Sequence, residues 1–162
     1  MTTYPLAYHI TWGTYGTRLR GGDAPYVDRK HNQYGTPLPP PNPAVAHADR
    51  DRMKYDPVYL TEEQRSTVRD AVLDVARRYH WHIHTEAANT DHIHVVITAK
   101  REGEALRDAL KAVACKALNK KFGKREWWAE KGSAKYIWDE AYLQNAIEYV
   151  GKQDTLPPIP PA

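Results

Sequence analysis

The sequence predicts an α+β fold: a ferredoxin-like, split βαβ antiparallel sheet with helices packed on one face. Three observations carry that expectation. The periodic segments follow the order strand, helix, strand, strand, helix, strand, helix. The second and third strand segments are separated only by the turn-prone run Ala88-Asn89-Thr90-Asp91, which favours an antiparallel pair. A chain of 162 residues is also the size of one domain with a substantial core, so residues 1–162 are expected to form one unit.

The elements follow in order. Leu6 to Tyr15 alternates and is rich in Tyr, Ile, Thr and Trp, as a first strand should be. Residues 21–59 carry seven of the twelve prolines and read as an irregular insertion, with one short helix expected over Ala44 to Met53. Thr61-Glu62-Glu63-Gln64 is a capping-box pattern. Val68, Ala71, Val72, Val75, Ala76 and Tyr79 recur behind it at helical spacing, predicting a helix over 61–80. Trp81 to Ala87 alternates, and Asp91 to Thr98 is dominated by β-branched residues. Gly103 to Phe122 places Leu106, Leu110, Val113, Ala114, Ala117 and Leu118 on one side of a second helix, with basic residues on the other, that Gly123 should end. Tyr136-Ile137-Trp138 closes a fourth strand, and Asp139 can cap a last helix running to about Gln153. The Pro-rich residues 155–162 form an extended tail.

Composition narrows the function. No apolar run approaches the roughly 20 residues that span a bilayer. The N-terminus lacks a basic segment followed by an apolar core, and Cys115 is the only cysteine. An internal disulfide and a multi-cysteine zinc site are thereby excluded, and a cytoplasmic protein is the expectation. The net charge is only +3, yet residues 100–125 hold nine basic side chains against three acidic ones. Such a block is read either as a site for a polyanionic partner or as a solvated helix face.

Chemistry concentrates in Asp91-His92-Ile93-His94. Side chains alternate along a strand, so His92 and His94 leave one face, roughly 6.5–7 Å apart at the backbone. Imidazoles at that spacing can converge on one divalent cation; the alternative is two polar residues facing solvent. Trp81-His82-Ile83-His84 repeats the pattern on the preceding strand, and spacing alone does not separate the pairs. If all four histidines shared one side, a tetrahedral zinc site would be possible. On the last helix, Leu143, Ile147 and Val150 share a core stripe, with Tyr142, Asn145, Tyr149 and Gln153 on a neighbouring one. A helical Tyr there is either a boundary residue of the core or a reactive phenol.

A His-hydrophobe-His strand, a basic helix, and a C-terminal helix with Tyr-Val-x-x-Gln together resemble the HUH endonucleases with a single catalytic tyrosine. The resemblance is closest to the insertion-sequence and REP-associated tyrosine transposases. It is carried by Tyr8-His9-Ile10-Thr11-Trp12 with Tyr15-Gly16-Thr17, Asp91-His92-Ile93-His94, Gly132-Ser133 with Tyr136-Ile137-Trp138-Asp139-Glu140, and Ala146-Ile147-Glu148-Tyr149-Val150 before Gln153. The resemblance implies an HUH-type fold and a metal-assisted transesterification on single-stranded DNA. Tyr149 would be the nucleophile, forming a 5′-phosphotyrosine. His92, His94 and Gln153 would hold Mg²⁺ or Mn²⁺, and the Asn-x-Asp-His run selects this pair over His82 and His84. The partner would be single-stranded DNA with a hairpin or palindromic element, taken by a monomer or a homodimer. DNA contacts are expected from Arg18, Arg20, Lys111, Lys116, Lys120 and Lys121, with Trp12, Trp127 and Trp128 as stacking platforms or core residues and Trp138 in the core. Two alternatives stand beside this: a non-catalytic single-stranded nucleic-acid-binding module of the same fold, and a zinc hydrolase built on both histidine pairs.

Overall fold

The sheet is built outward from β1 (Ala7–Gly13), whose strict alternation gives it two usable faces. Tyr8, Ile10 and Trp12 point to one side, Ala7, His9 and Thr11 to the other. The computed structural model describes residues 3–17 and 42–153. Arg18, Arg20, the Pro39-Pro40-Pro41 run and the tail at 155–162 lie outside the described residues.

Helix α1 (Pro43–Arg52) falls inside the segment expected to be irregular. Asn42 caps it by accepting from the Val45 N–H at 3.3 Å, and Pro43 takes the first helical position, where its missing N–H costs nothing. The extended stretch behind it is pinned to the body: the Val58 N–H donates to the Tyr15 carbonyl and the Leu60 N–H to the Thr90 carbonyl, at 2.9 and 2.8 Å. Both side chains are buried.

Helix α2 (Glu62–Arg78) starts with both halves of the expected capping box. The Gln64 N–H donates to Thr61 Oγ1 at 3.2 Å, and the Thr61 N–H to Gln64 Oε1 at 2.9 Å. Strands β2 (His82–Ala88) and β3 (His92–Thr98) form the antiparallel hairpin read from the turn, with a register irregularity between Ile83 and Thr85. Helix α3 (Gly103–Phe122) ends at Gly123, whose φ of +91° a residue with a Cβ adopts only under strain. Strand β4 (Ser133–Ile137) leads into α4 (Glu140–Gly151), where Asp139 accepts from the Tyr142 N–H at 2.8 Å. Gly132 allows β4 to start flush against β1: a Cβ there would lie 2.5 Å from the Thr11 carbonyl oxygen.

The strand order is β2-β3-β1-β4, all antiparallel. This is the α+β, split βαβ arrangement the sequence predicts, with one difference. Helices α2 and α3 cover one face, where Tyr8, Ile10, Trp12, Ile93, Val95 and Ile97 meet Val68, Val72, Leu106, Leu110 and Leu118. Helix α4 packs on the opposite face, setting Leu143, Ala146 and Val150 against Ala7, Ala87, Val96 and Ile137. The helices therefore do not share one face. The reason is visible in β3: Val95, Val96 and Ile97 are apolar at consecutive positions, so both faces there need a cover. Burying each such side chain contributes about 1.5–3 kcal/mol, which is enough to hold a helix on either side.

Candidate active site

The α4 face of the sheet holds the chemistry. Registered side by side across β1 and β3 are Thr11 with His94 and Gly13 with His92; His9 pairs with Val96 one step along. On the other flank of β1, His9 pairs with Lys135 and Thr11 with Ser133. Helix α4 packs chiefly over β2 and β3; its last turn brings Tyr149, and the turn just after it Gln153, to the histidine end of the strands.

His92 is held from both sides. Its Nδ1–H donates to Asp91 Oδ1 at 2.6 Å, which leaves the lone pair on Nε2, where Asn89 Nδ2 donates at 3.0 Å. His92 also lines a cleft of about 350 Å³ together with Asn89, Thr90, Asp91, Lys152 and Gln153. His94 is adjacent, with ring centroids 4.7 Å apart and planes at 90°. Its Nδ1 lies 3.0 Å from His9 Nε2 and 3.2 Å from Thr11 Oγ1. His9 and His94 are only 8 % and 6 % exposed. Burial, reinforced by the Lys135 ammonium, pushes the His9 pKa down to about 4, so this imidazole is neutral at physiological pH.

Tyr149 is 52 % exposed, its ring centroid 5.8 Å from that of His94 and 6.1 Å from that of His9. Tyr142, the other tyrosine of the same stripe, packs instead against the apolar cluster under α4. The structure thus brings His92, His94, Tyr149 and Gln153 to one end of one face. Two imidazoles, each engaged through Nδ1, and a carboxamide make a donor set that fits a single divalent cation.

The second histidine pair stands apart. His82 pairs with Thr98, four residues beyond His94 along β3, roughly 13 Å away at strand rise. His84 Nε2 is 2.7 Å from Thr98 Oγ1, and that hydroxyl donates to the Leu6 carbonyl, so the imidazole is the donor to Thr98. The four histidines do not converge. Among the described residues no group of three or more His, Cys, Asp or Glu side chains could hold a metal ion, and a four-histidine zinc site is not formed.

Several residues expected to touch DNA have other tasks. Trp127 and Trp128 are 2 % and 8 % exposed and belong to the core, as does Trp12. The Trp127 indole N–H donates to Asn119 Oδ1 at 2.8 Å and that of Trp128 to the Lys111 carbonyl at 3.0 Å, and burial of both rings leaves neither face open for stacking. Lys111 ties down the chain before β4, donating to the Ala129 and Lys131 carbonyls at 2.9 and 2.6 Å. Burial and then Arg107 hold its pKa below the usual lysine range. Trp138, expected in the core, is 55 % exposed and sits 6.1 Å from the exposed Tyr136 ring. Lys116, Lys120 and Lys121 are exposed on α3, with Lys121 paired to Glu63 at 3.2 Å. They lie on the opposite side of the sheet from Tyr149.

Sequence reasoning missed His9, Thr11, Asn89 and Lys135 as site residues. Alternation in the first strand put His9 and Thr11 on one face, but which strand would lie beside them is not written in that pattern.

Two solved structures are similar to this chain in fold. One is a REP-associated tyrosine transposase bound to a REP hairpin, at TM-score 0.52 and 12% identity over 93% of this chain and 67% of that one. The other is a candidate transposase from Deinococcus radiodurans, at TM-score 0.51 and 14% identity over 94% of each chain. No family model and no curated protein matches the chain. Among the described residues no helix is long and apolar enough to cross a membrane.

Proposed function

We propose that the protein is a metal-dependent, transposase-like endonuclease and ligase of single-stranded DNA, with Tyr149 as nucleophile. The observation that supports this best is the placement of an exposed phenol beside His94, on the same helix end that carries Gln153 to the His92 cleft. His92, His94 and Gln153 would hold Mg²⁺ or Mn²⁺. When bound, such an ion supplies charge stabilisation at a non-bridging phosphate oxygen.

The chain's own residues account for the rest. The Tyr149 phenol oxygen attacks phosphorus, forming the Tyr–O–P bond as the P–O3′ bond breaks. The phenol proton is lost, and a proton is taken up by the departing 3′ oxygen, leaving a 5′-phosphotyrosine and a free 3′-OH. Because the phosphotyrosine retains the bond energy, the 3′-OH of the same or another strand reseals it in the reverse step without an external energy source. Half-exposure of Tyr149 lets a strand reach it. Lys135, Ser133 and Thr11 line the β1–β4 part of the same face and offer a cation and two hydroxyls to passing phosphates. The exposed lysines of α3, on the far face, suit a structured hairpin next to the cleaved tract, the kind of ligand held by the REP-associated neighbour.

The test is incubation with a panel of hairpin oligonucleotides bearing single-stranded flanks, with Mn²⁺, read on a denaturing gel. Wild type and Tyr142→Phe should form a covalent adduct. Tyr149→Phe should bind the same DNA and form none. A nucleotide mass on the peptide containing Tyr142 would refute the assignment, and no adduct in wild type would leave a binding module of this fold.

A further inference from the structure

We infer that His9 is a positioning residue for the metal centre: its Nε2, with Thr11 Oγ1 beside it, fixes His94 in the tautomer and orientation that present Nε2 as a ligand. The inference rests on the reading of His92 and His94 as metal ligands, and assigns a role that neither the two-histidine motif nor the tyrosine helix contains.

The geometry comes from pairing across strands. Thr11 lies directly opposite His94, and His9 is its diagonal neighbour on the same face. Both reach the same ring nitrogen: His94 Nδ1 is 3.0 Å from His9 Nε2 and 3.2 Å from Thr11 Oγ1. An imidazole that ligates through Nε2 must carry its proton on Nδ1. That proton needs an acceptor, and His9 and Thr11 are placed to be it. The two histidines are then supported in parallel. Asp91 takes the Nδ1 proton of His92, and His9 that of His94.

Water is a poor substitute for His9, since both rings are almost fully buried. The ring contacts add direction. His94 is flanked at 90° by His92, tilted 34° to His9, and faces Tyr149 edge-on at 84°. Loosening His9 would free the ring that sits between the cation site and the nucleophile.

Two amides separate positioning from bulk. The end of a Gln side chain reaches about where Nε2 of His sits, whereas an Asn amide stops near Nδ1, one bond too short for His94. Mn²⁺ is titrated into the full chain without DNA, and the free ion is followed by electron paramagnetic resonance. His9→Gln should bind Mn²⁺ close to wild type, and His9→Asn about 10–100-fold more weakly, as loss of a supporting partner does. Both should bind hairpin DNA normally without metal, and raised Mn²⁺ should restore adduct formation in His9→Asn. Equal Mn²⁺ affinity in a folded His9→Asn and wild type would overturn the inference. So would loss of Mn²⁺ binding in both variants alike, which marks a packing role. Wild type that takes up no Mn²⁺ overturns the inference together with the metal reading. Wild type that binds Mn²⁺ in a His9-dependent way, yet forms no adduct, keeps the inference and removes Tyr149 as nucleophile.

Discussion

At the scale of single residues, the site is a set of imidazoles whose second nitrogens are already spoken for. Asp91 is the anionic member of that set. Its carboxylate, 2.6 Å from His92 Nδ1, fixes the tautomer that leaves the lone pair on Nε2. Asp91→Ala should therefore raise the Mn²⁺ concentration for half-maximal adduct formation about 10–100-fold. The fold should persist, because the Thr14 N–H bonds the Asp91 backbone carbonyl and not its side chain. An unchanged Mn²⁺ dependence would mean the carboxylate is only a turn residue. Much of this was legible in the sequence: period-two spacing put His92 and His94 on one face, and helical spacing put Tyr149 and Gln153 one turn apart. What was not legible is the partner of His94. His9 lies 85 residues away, and contacts at that separation depend on strand register, which no local pattern encodes. The tryptophans were misread for a related reason. An indole is both a large apolar plate and a hydrogen-bond donor, so composition cannot say whether Asn119 or a nucleobase will meet Trp127. Trp138 lies between the last residue of β4 and the cap of α4, beyond the reach of either core, and so is left exposed.

At the scale of elements, β2 and β3 carry two histidine pairs with different fates. His84 is fixed by a chain of bonds through Thr98 Oγ1 to the Leu6 carbonyl, which joins the end of β3 to the start of β1. Burial, and secondarily the neighbouring His82, lower its pKa below the ordinary value, while Glu140 at the start of α4 opposes them. The sign of the linkage follows. A histidine whose folded pKa is depressed binds fewer protons in the native state than in the unfolded one. Its contribution to stability is present above the ordinary value of about 6.5 and is lost as pH falls through the folded value. His84→Gln keeps a donor for Thr98 but removes the titration. The wild-type urea midpoint should drop more steeply than that of His84→Gln between about pH 7 and pH 5. Parallel curves would assign the acid sensitivity elsewhere.

At the scale of the molecule, the sheet separates two kinds of surface that sequence reading merged. The sequence placed the basic helix and the histidine strand in one DNA-binding picture, with all helices on one face. In the fold, α3 and α4 lie on opposite sides of the sheet, because β3 is apolar on both. DNA that meets both Lys116 and Tyr149 must pass around an edge of the sheet, and β4 is the edge beside β1, flanked by Lys135 and the exposed Tyr136 and Trp138. Holding and cutting then separate. Replacing Lys116, Lys120 and Lys121 together by alanine should weaken hairpin binding and flatten its dependence on salt. Each lost phosphate contact removes about 0.7–0.9 from the slope of log affinity against log salt. Lys121 should contribute least, since Glu63 already engages it at 3.2 Å. At saturating DNA the rate of Tyr149 adduct formation should be unchanged, because no altered group lies on the α4 face. Lys135→Met should do the reverse, slowing the adduct more than it weakens the hairpin complex. Filter binding across a salt series, paired with single-turnover adduct kinetics, separates the two effects. A lysine triple variant that binds with the wild-type slope would move the hairpin off α3. One that binds normally but reacts slowly would bring α3 and the reacting phosphate together on a surface this fold keeps apart.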